Sequence, residues 1–391
     1  MPLDVRVTGY ETFSAFGAGA DVLRERVFAG RPAFAPITRF DTVPFRNTYG
    51  ATYGGPGQAP RQLETVQDCV RGALAAAKLD PADLDPARTA VLIGTQGDFT
   101  GLHSFWADRA AGRPGDPAEA HRSFAGSIPE AVAAGLGLTG PRAAFINACV
   151  ASASAVIHAC RMITAGQVDV AVVGGVYLVD EEQFAKFDSG RTFARDGRLR
   201  AFAAGRSGML LGDGAAALVL ESPEHALRRG ARSLARVPGF GAAADAHHVV
   251  QPHPRGAGMG RAITRALASA GLAGEEIGYV NAHGTGTRLN DPAETAALRG
   301  AFGAHADRLP VSSTKSTTGH MLEATGAVEL VICLMALEEQ AVPPTSGYDD
   351  ADPECDLDCV PNEARTARLE RVLSLNAGFG GLNTAIILEQ P

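Results

Sequence analysis

"AAFINACVASASAVIHACRMIT" runs from Ala143 to Thr164. Its apolar start, Ala143 to Ile146, breaks at Asn147, Ala148 and Cys149 into small residues that pack only as a tight, buried helix. With the apolar run as a strand, Cys149 sits where strand turns into helix, and the first amide N–H groups of the helix surround its sulfur. That position lowers a thiol's pKa and offers a place to hold an oxyanion. A cysteine among small residues is also ordinary core filler, since free cysteine is among the most buried residue types. The rest of the chain decides between the two.

The 391 residues carry a formal charge of −8, 46% hydrophobic residues, 46 Gly and 23 Pro. This is the balance of a loop-punctuated α/β enzyme with a large core, and it argues against extensive disorder and against nucleic acid as the main partner. No apolar run reaches the length of a bilayer span, and the opening "MPLDVRVTGYE" lacks a basic region followed by an apolar core. A cytoplasmic protein with no membrane attachment is therefore expected. The cysteines (69, 149, 160, 333, 355 and 359) form no C-x-x-C pair, and the histidines form no H-E-x-x-H, so no metal site is expected. Only three lysines occur, Lys78, Lys186 and Lys315, in a chain that otherwise uses arginine, and Lys315 stands inside "SSTKSTTGH".

Along the chain, "DVRVTGY" reads as a strand followed by a helix, residues 40–60 as irregular, and residues 61–77 as a helix with Leu63, Val66, Val70 and Leu74 on one face. Val91 to Ile93 is a strand ending in "GTQGDFTG", and a polar segment follows from His103 to Arg122. "DVAVVGGVY" is a buried strand, Asp180 to Gly205 reads as a long charged loop, and "MLLGDGAAALVLES" as two strand-like runs. Past residue 240 the pattern begins again. "VLIGTQG" corresponds to "YVNAHGTG", "FINACVASASAV" to "VSSTKSTTGHMLEATGAV", and "LLGDGAAALVLE" to "FGGLNTAIILE". This self-similarity predicts a duplicated α/β unit, residues 1–240 carrying the cysteine and 241–391 carrying histidines, whose strand ends meet at one site. There Cys149 faces loops bearing His283, Lys315 and His320, the parts for thioester chemistry through an S-acyl intermediate.

The segments "GYVNAHGTGTRLNDPAE", "VSSTKSTTGHMLEATGAVE", "AVPPT", "CDLDCVPNEAR" and "GFGGLN", with the Cys149 helix and "LGDGAA", resemble the β-ketoacyl-acyl carrier protein synthases, especially the synthase II type and its polyketide ketosynthase relatives. The resemblance runs from "RVTGY" to "TAIILE" and implies the thiolase fold, five layers α-β-α-β-α, usually as a dimer. It implies that Cys149 takes the acyl chain and that His283 and His320 assist malonyl decarboxylation. Lys315 would support the second histidine, with Glu294 as its acidic partner. Thr285 and Thr287 would hold the pantetheine arm, and Phe379 would gate the acyl sulfur, its N–H forming an oxyanion hole with that of Cys149. No cofactor is implied beyond the phosphopantetheine of an acyl carrier protein, which with a like or ketosynthase-like subunit is the expected partner.

The chain departs from the family pattern in "RAFAAGRSGM", where Ala203 and Ser207 replace acids and Met209 an aromatic, and at Ala377, which also replaces an aromatic. These changes point to a specialised acyl substrate. Arg61, Arg198, Arg200 and Arg206 are the candidates for a basic carrier-docking patch. Besides decarboxylative condensation, two alternatives fit the same resemblance. One is a non-condensing partner subunit like a chain-length factor, which lacks the nucleophilic cysteine; the other is a ketosynthase-like acyltransferase or cyclase.

Overall fold

The computed structural model describes residues 3–55 and 59–391; residues 56–58, within the stretch expected to be irregular, and the first two residues lie outside it. Ten strands carry the architecture: β1 (Val5–Ser14), β2 (Thr89–Gly94), β3 (Arg142–Phe145), β4 (Val170–Tyr177), β5 (Gly214–Glu221), β6 (Ala235–Ala244), β7 (Tyr279–Asn281), β8 (Val311–Ser312), β9 (Arg371–Gly378) and β10 (Leu382–Glu389). Their spatial order is β8-β7-β9-β10-β6-β1-β5-β4-β2-β3, with the short strand Gly17–Ala18 added on β1.

That order contains one arrangement twice. Each set of five strands runs third, second, fourth, fifth, first. In the first set β2 pairs parallel with β3 and β4, while β5 pairs antiparallel with β4 and β1. In the second, β7 pairs parallel with β8 and β9, while β10 pairs antiparallel with β9 and β6. The two first strands, β1 and β6, are antiparallel neighbours with Val5 opposite Val237. The duplication expected from the sequence is thus visible strand by strand. The second set begins at Ala235, so residue 240 falls within β6.

Helices α1 (Gln62–Ala76) and α3 (Ala257–Ala270) pack on the outer faces of the two sets, and α2 (Ala151–Thr164) and α4 (Thr325–Glu339) lie between the sets, which gives the five α-β-α-β-α layers. Glycine permits the closest outer approaches at matching places: a Cβ on Gly9 of β1 would stand 2.3 Å from Ala73 O of α1, and one on Gly241 of β6 would stand 2.0 Å from Ala262 O of α3. The central helix α4 is apolar nearly all round, as a helix enclosed by two sheets must be. The small residues of α2 serve the same end, since a Cβ on Gly326 of α4 would be 2.7 Å from Ala153 N. Ser152 Oγ accepts a hydrogen bond from Ala327 N at 2.9 Å. The two central helices therefore meet at their N-terminal turns, and the residues just before each, Cys149 in one and His320 in the other, are brought face to face.

Two local expectations are corrected, and one segment left without a structural reading is defined. Residues 180–205 are not one loop, because Glu181–Ser189 is a helix whose N-cap, Asp180, accepts from Gln183 N. The polar segment 103–122 holds helices Phe99–Ala110 and Pro117–Arg122, capped by Asp98 and Asp116. The residues before Gly214 form only isolated bridges, from Met209, Leu211 and Gly212, rather than a second strand. Among the described residues no helix is long and apolar enough to cross a membrane.

Candidate active site

Strand β3 ends at Phe145, and a 3-10 turn, Ala148–Val150, leads into α2. Ala148 adopts φ 55°, a left-handed conformation uncommon for a residue with a side chain. The turn sets Cys149 below the surface, 6% exposed. Burial pushes its thiol up to about 12, Glu323 acting in the same direction and Lys315 against it. The sequence expectation of a lowered pKa at a helix start is reversed here, because the sulfur is desolvated and no cation among the described residues touches it. The resting group is a thiol, and its attack on a thioester requires a base.

A neutral imidazole stands beside the thiol. His320 Nε2 lies 3.1 Å from Cys149 Sγ, and its Nδ1 lies 3.0 Å from Thr325 Oγ1. Burial and then the charge of Lys315 hold the His320 imidazole well below the usual histidine range, so it is neutral. With the thiol protonated, Nε2 is the acceptor and Nδ1–H donates to Thr325. His283, just past the end of β7, is held neutral by the same two causes and by His320. Its ring stands edge-on to that of His320, with centroids 5.3 Å apart at 85°. Its buried Nδ1 has no hydrogen-bond partner among the described residues.

Lys315 Nζ donates to Glu329 Oε1 at 2.5 Å, and Asn376 Nδ2 donates to Glu329 Oε2 at 2.6 Å. The carboxylate paired with Lys315 is therefore Glu329 and not Glu294, which corrects the sequence expectation. Glu294, on helix Asn290–Phe302, accepts from the backbone N–H of His283 at 2.6 Å and of Gly284 at 2.7 Å, and so fixes the loop that carries His283. Sequence reasoning missed Glu329, although it is the one charged residue in the apolar run "TGAVELVICLMAL". It also missed Thr325 and Asn376.

Cys149, His283 and His320 open onto one cavity, walled further by Thr285, Thr287 and Phe379. The Thr285 and Thr287 hydroxyls lie 3.0 Å apart. Phe379 is 41% exposed and stacks on Phe187 with centroids 5.6 Å apart. The preceding Gly378 brings this loop against Cys149, since a Cβ there would be 3.4 Å from Cys149 N. Three of the departures noted in the sequence, Ser207, Met209 and Ala377, line this cavity.

The four candidate docking arginines are each ion-paired within the chain. Arg206 is buried and paired with Asp352 and Glu354; Arg200 pairs with Asp196 and Asp349, Arg198 with Asp349, and Arg61 with Glu119. Two other arginines, Arg191 and Arg288, line the cavity without a carboxylate partner among the described residues. Neither was singled out from the sequence.

Comparison with known proteins agrees with this arrangement. Residues 57–226 match the family profile "Beta-ketoacyl synthase, N-terminal domain" and residues 234–349 the profile "Beta-ketoacyl synthase, C-terminal domain". The tetracenomycin polyketide synthase ketoacyl synthase alpha subunit of Streptomyces glaucescens is 37% identical, over 99% of this chain and 97% of its own. The 3-oxoacyl-[acyl-carrier-protein] synthase 2 of Coxiella burnetii is 33% identical over 99% and 98%. Among solved structures, the ishigamide ketosynthase/chain length factor superposes with a TM-score of 0.93 at 33% identity, covering both chains completely. A type II polyketide acyl-carrier protein in complex with its ketosynthase bound to the hexaketide gives 0.94 at 25% identity, again with full coverage of both chains. Matched along its whole length in sequence and in fold, the chain belongs to the β-ketoacyl synthase family.

Proposed function

We propose that the chain is a condensing β-ketoacyl synthase that joins a Cys149-bound acyl group to malonyl-acyl carrier protein, in a type II polyketide or specialised fatty-acid pathway. The observation that carries this reading is the 3.1 Å contact between Cys149 Sγ and a neutral His320, with His283 edge-on beside it. A non-condensing partner subunit has no use for this pair.

In the first half-reaction Cys149 Sγ attacks the acyl thioester while His320 Nε2 takes the thiol proton. The carbonyl oxygen gains charge between the N–H groups of Cys149 and Phe379. The carrier thiolate then leaves and receives that proton. In the second, Thr285 and Thr287 hold the pantetheine arm of malonyl-carrier protein, and loss of CO2 leaves an enolate whose oxygen accepts hydrogen bonds from His283 and from His320, the latter in the tautomer that carries its proton on Nε2 with Nδ1 accepting from the Thr325 hydroxyl. The enolate carbon attacks the acyl carbonyl, and the Cys149 thiolate departs and takes a proton from water, the one proton that the condensation consumes. Preorganised donors at a developing oxyanion are each worth about 100- to 1,000-fold in rate. In this scheme residues 1–240 supply the nucleophile and 241–391 the decarboxylation machinery. The partners are an acyl carrier protein and a second ketosynthase-like subunit, like or unlike, as the relatives' names indicate for those proteins.

Release of labelled CO2 from malonyl-carrier protein tests the reading. Replacing His283 or His320 by alanine is expected to slow release by about 100-fold or more. Undiminished release in both variants would overturn the proposal. Acyl exchange without any CO2 release in the unaltered protein would assign it to the acyltransferases instead.

A further inference from the structure

The catalytic cavity has a neighbour. Arg191 and Ser207 line it and also line a second cavity of about 290 Å³, so the two spaces adjoin at those residues. Two more arginines, Arg46 and Arg195, stand in the wall of the second cavity, with Asp188 and Asp196. Its volume is near the lower bound of small-molecule sites, about 300 Å³.

The local backbone gathers these arginines. Asp188 O, near the end of helix Glu181–Ser189, accepts from Arg191 N at 3.0 Å and from Arg46 Nη1 at 3.3 Å, which ties two of the three to one carbonyl. Arg191 itself adopts φ 55°, a conformation uncommon for a residue with a side chain. Arg195 lies between Ala194, whose N–H donates to Met209 O at 3.0 Å, and Gly197, where a Cβ would stand 2.8 Å from the Tyr49 ring.

Neither carboxylate in the wall neutralises them. Asp188 is buried and spends its oxygens on the backbone N–H groups of Arg46 and Asn47, each at 3.1 Å, while Asp196 pairs with Arg200 at 2.8 Å. Arg46, Arg191 and Arg195 thus have no carboxylate partner among the described residues, in a chain whose net charge is −8. Even with Asp188 counted, the wall keeps an excess of positive charge that one phosphodiester, the group at the end of a carrier protein's arm, does not balance. The nucleotide end of coenzyme A does balance it. It carries a 3′-phosphate monoester of about −2 and a diphosphate with one charge on each phosphoryl group, oxygens that suit the planar guanidinium fork.

We propose that this three-arginine cavity seats the 3′-phosphorylated nucleoside diphosphate end of coenzyme A, so that Cys149 is loaded directly from acyl-CoA as well as from a carrier. In that transfer the thioester carbon exchanges the coenzyme sulfur for Cys149 Sγ, and the thiol proton passes through His320 Nε2 to the departing coenzyme thiolate. The inference rests on the proposal that Cys149 is acylated and adds the class of donor.

The test loads Cys149 with an acetyl, butyryl or hexanoyl group from three donors: the CoA thioester, the N-acetylcysteamine thioester, which lacks every phosphate, and a type II acyl-carrier protein. Rates are read as the mass added to the intact protein, with Cys149→Ala identifying the thiol. Arg46 and Arg195 are exposed and lie outside the catalytic cavity. Arg46→Gln and Arg195→Gln are each expected to slow loading from acyl-CoA about tenfold, the figure for one hydrogen bond to a charged group. Loading from N-acetylcysteamine stays unchanged in both, which also reports that the variants fold. Adenosine 3′,5′-bisphosphate is expected to compete with acyl-CoA but not with the N-acetylcysteamine thioester, and its calorimetric binding to weaken in the same variants. Acyl-CoA that loads no faster than the N-acetylcysteamine thioester, or a bisphosphate that does not bind, would overturn the site. Variants that slow loading from the carrier protein as much as from acyl-CoA would assign the arginines to carrier docking and overturn it as well. Bisphosphate binding that the variants weaken, with no adduct from any thioester, would retain the nucleotide site and overturn the reading of Cys149 as acyl acceptor.

Discussion

Replacing Lys315 by methionine would leave Glu329 as an uncompensated carboxylate at the centre of the molecule. The pair's side chains are only 1% and 4% exposed, and the Lys315 ammonium is the one cation among the described residues in contact with that carboxylate. Breaking a buried pair by removing one partner costs about 3–5 kcal/mol, because the remaining charge has lost both water and partner. Asn376, whose amide donates to the other carboxylate oxygen, offsets only part of this. The double variant Lys315→Met/Glu329→Gln removes both charges while keeping an acceptor for Asn376, so it is expected within about 1–2 kcal/mol of the unaltered protein. Guanidinium unfolding of the four proteins of the cycle gives these differences. A functional readout separates positioning from mere stability. Lys315 opposes protonation of His283 and His320, so in Lys315→Met both imidazoles protonate at higher pH, and the acid limb of the decarboxylation profile moves upward. A Lys315→Met protein within about 1 kcal/mol of the original, or a coupling of Lys315 to Glu294 rather than to Glu329, would refute the assignment.

Further outcomes follow from the same geometry. Glu294→Ala strips an acceptor from two buried N–H groups at about 1–3 kcal/mol each, and is expected to unfold at lower guanidinium and to slow CO2 release, whereas Glu294→Gln retains part of both. Glu323 is raised by burial from 4.5 to about 7, so between those values the native state binds a proton that the unfolded chain does not, and stability is lost as pH rises through 7. Glu323→Gln is therefore expected to be more stable by about 3 kcal/mol at pH 8, with the advantage gone below pH 4.5, as read by unfolding at the two pH values. Because burial pushes the Cys149 thiol up to about 12, its alkylation by iodoacetamide should climb about tenfold per pH unit from 7 to 10; a plateau below pH 8 would show a thiolate that the site does not predict. Gly326→Val would drive side-chain atoms into Ala153 N, only 2.7 Å from the first added carbon, and is expected to part the central helices and abolish soluble folded protein.

Much of this was legible because chemistry-bearing residues sit at strand ends and strand ends repeat. The correspondence of "FINACVASASAV" with "VSSTKSTTGHMLEATGAV" places Cys149 and His320 in equivalent positions, and the matching strand orders are the three-dimensional form of that likeness. The sequence does not tell which carboxylate an ammonium reaches. Lys315 and Glu329 are joined only because the chain reverses at Gly319, with φ 77°, and runs back as α4 past the lysine. Helix Glu181–Ser189 was hidden by its charge, although its Asp180 cap and acidic first turn are written in "DEEQ". The thiol's raised pKa was misread because a helix start is a local feature while desolvation is a property of the whole fold. For the same reason Arg206, in a motif that looked like a docking patch, turned out to be a buried structural cation.

Intact-protein mass measured after incubation with acyl-carrier protein loaded with candidate acyl groups tests the central claim most directly. The account predicts one added acyl group on the unaltered protein, none on Cys149→Ala, and discharge of the adduct when malonyl-carrier protein is added. An adduct that survives Cys149→Ala, or no adduct from any acyl donor, would contradict it.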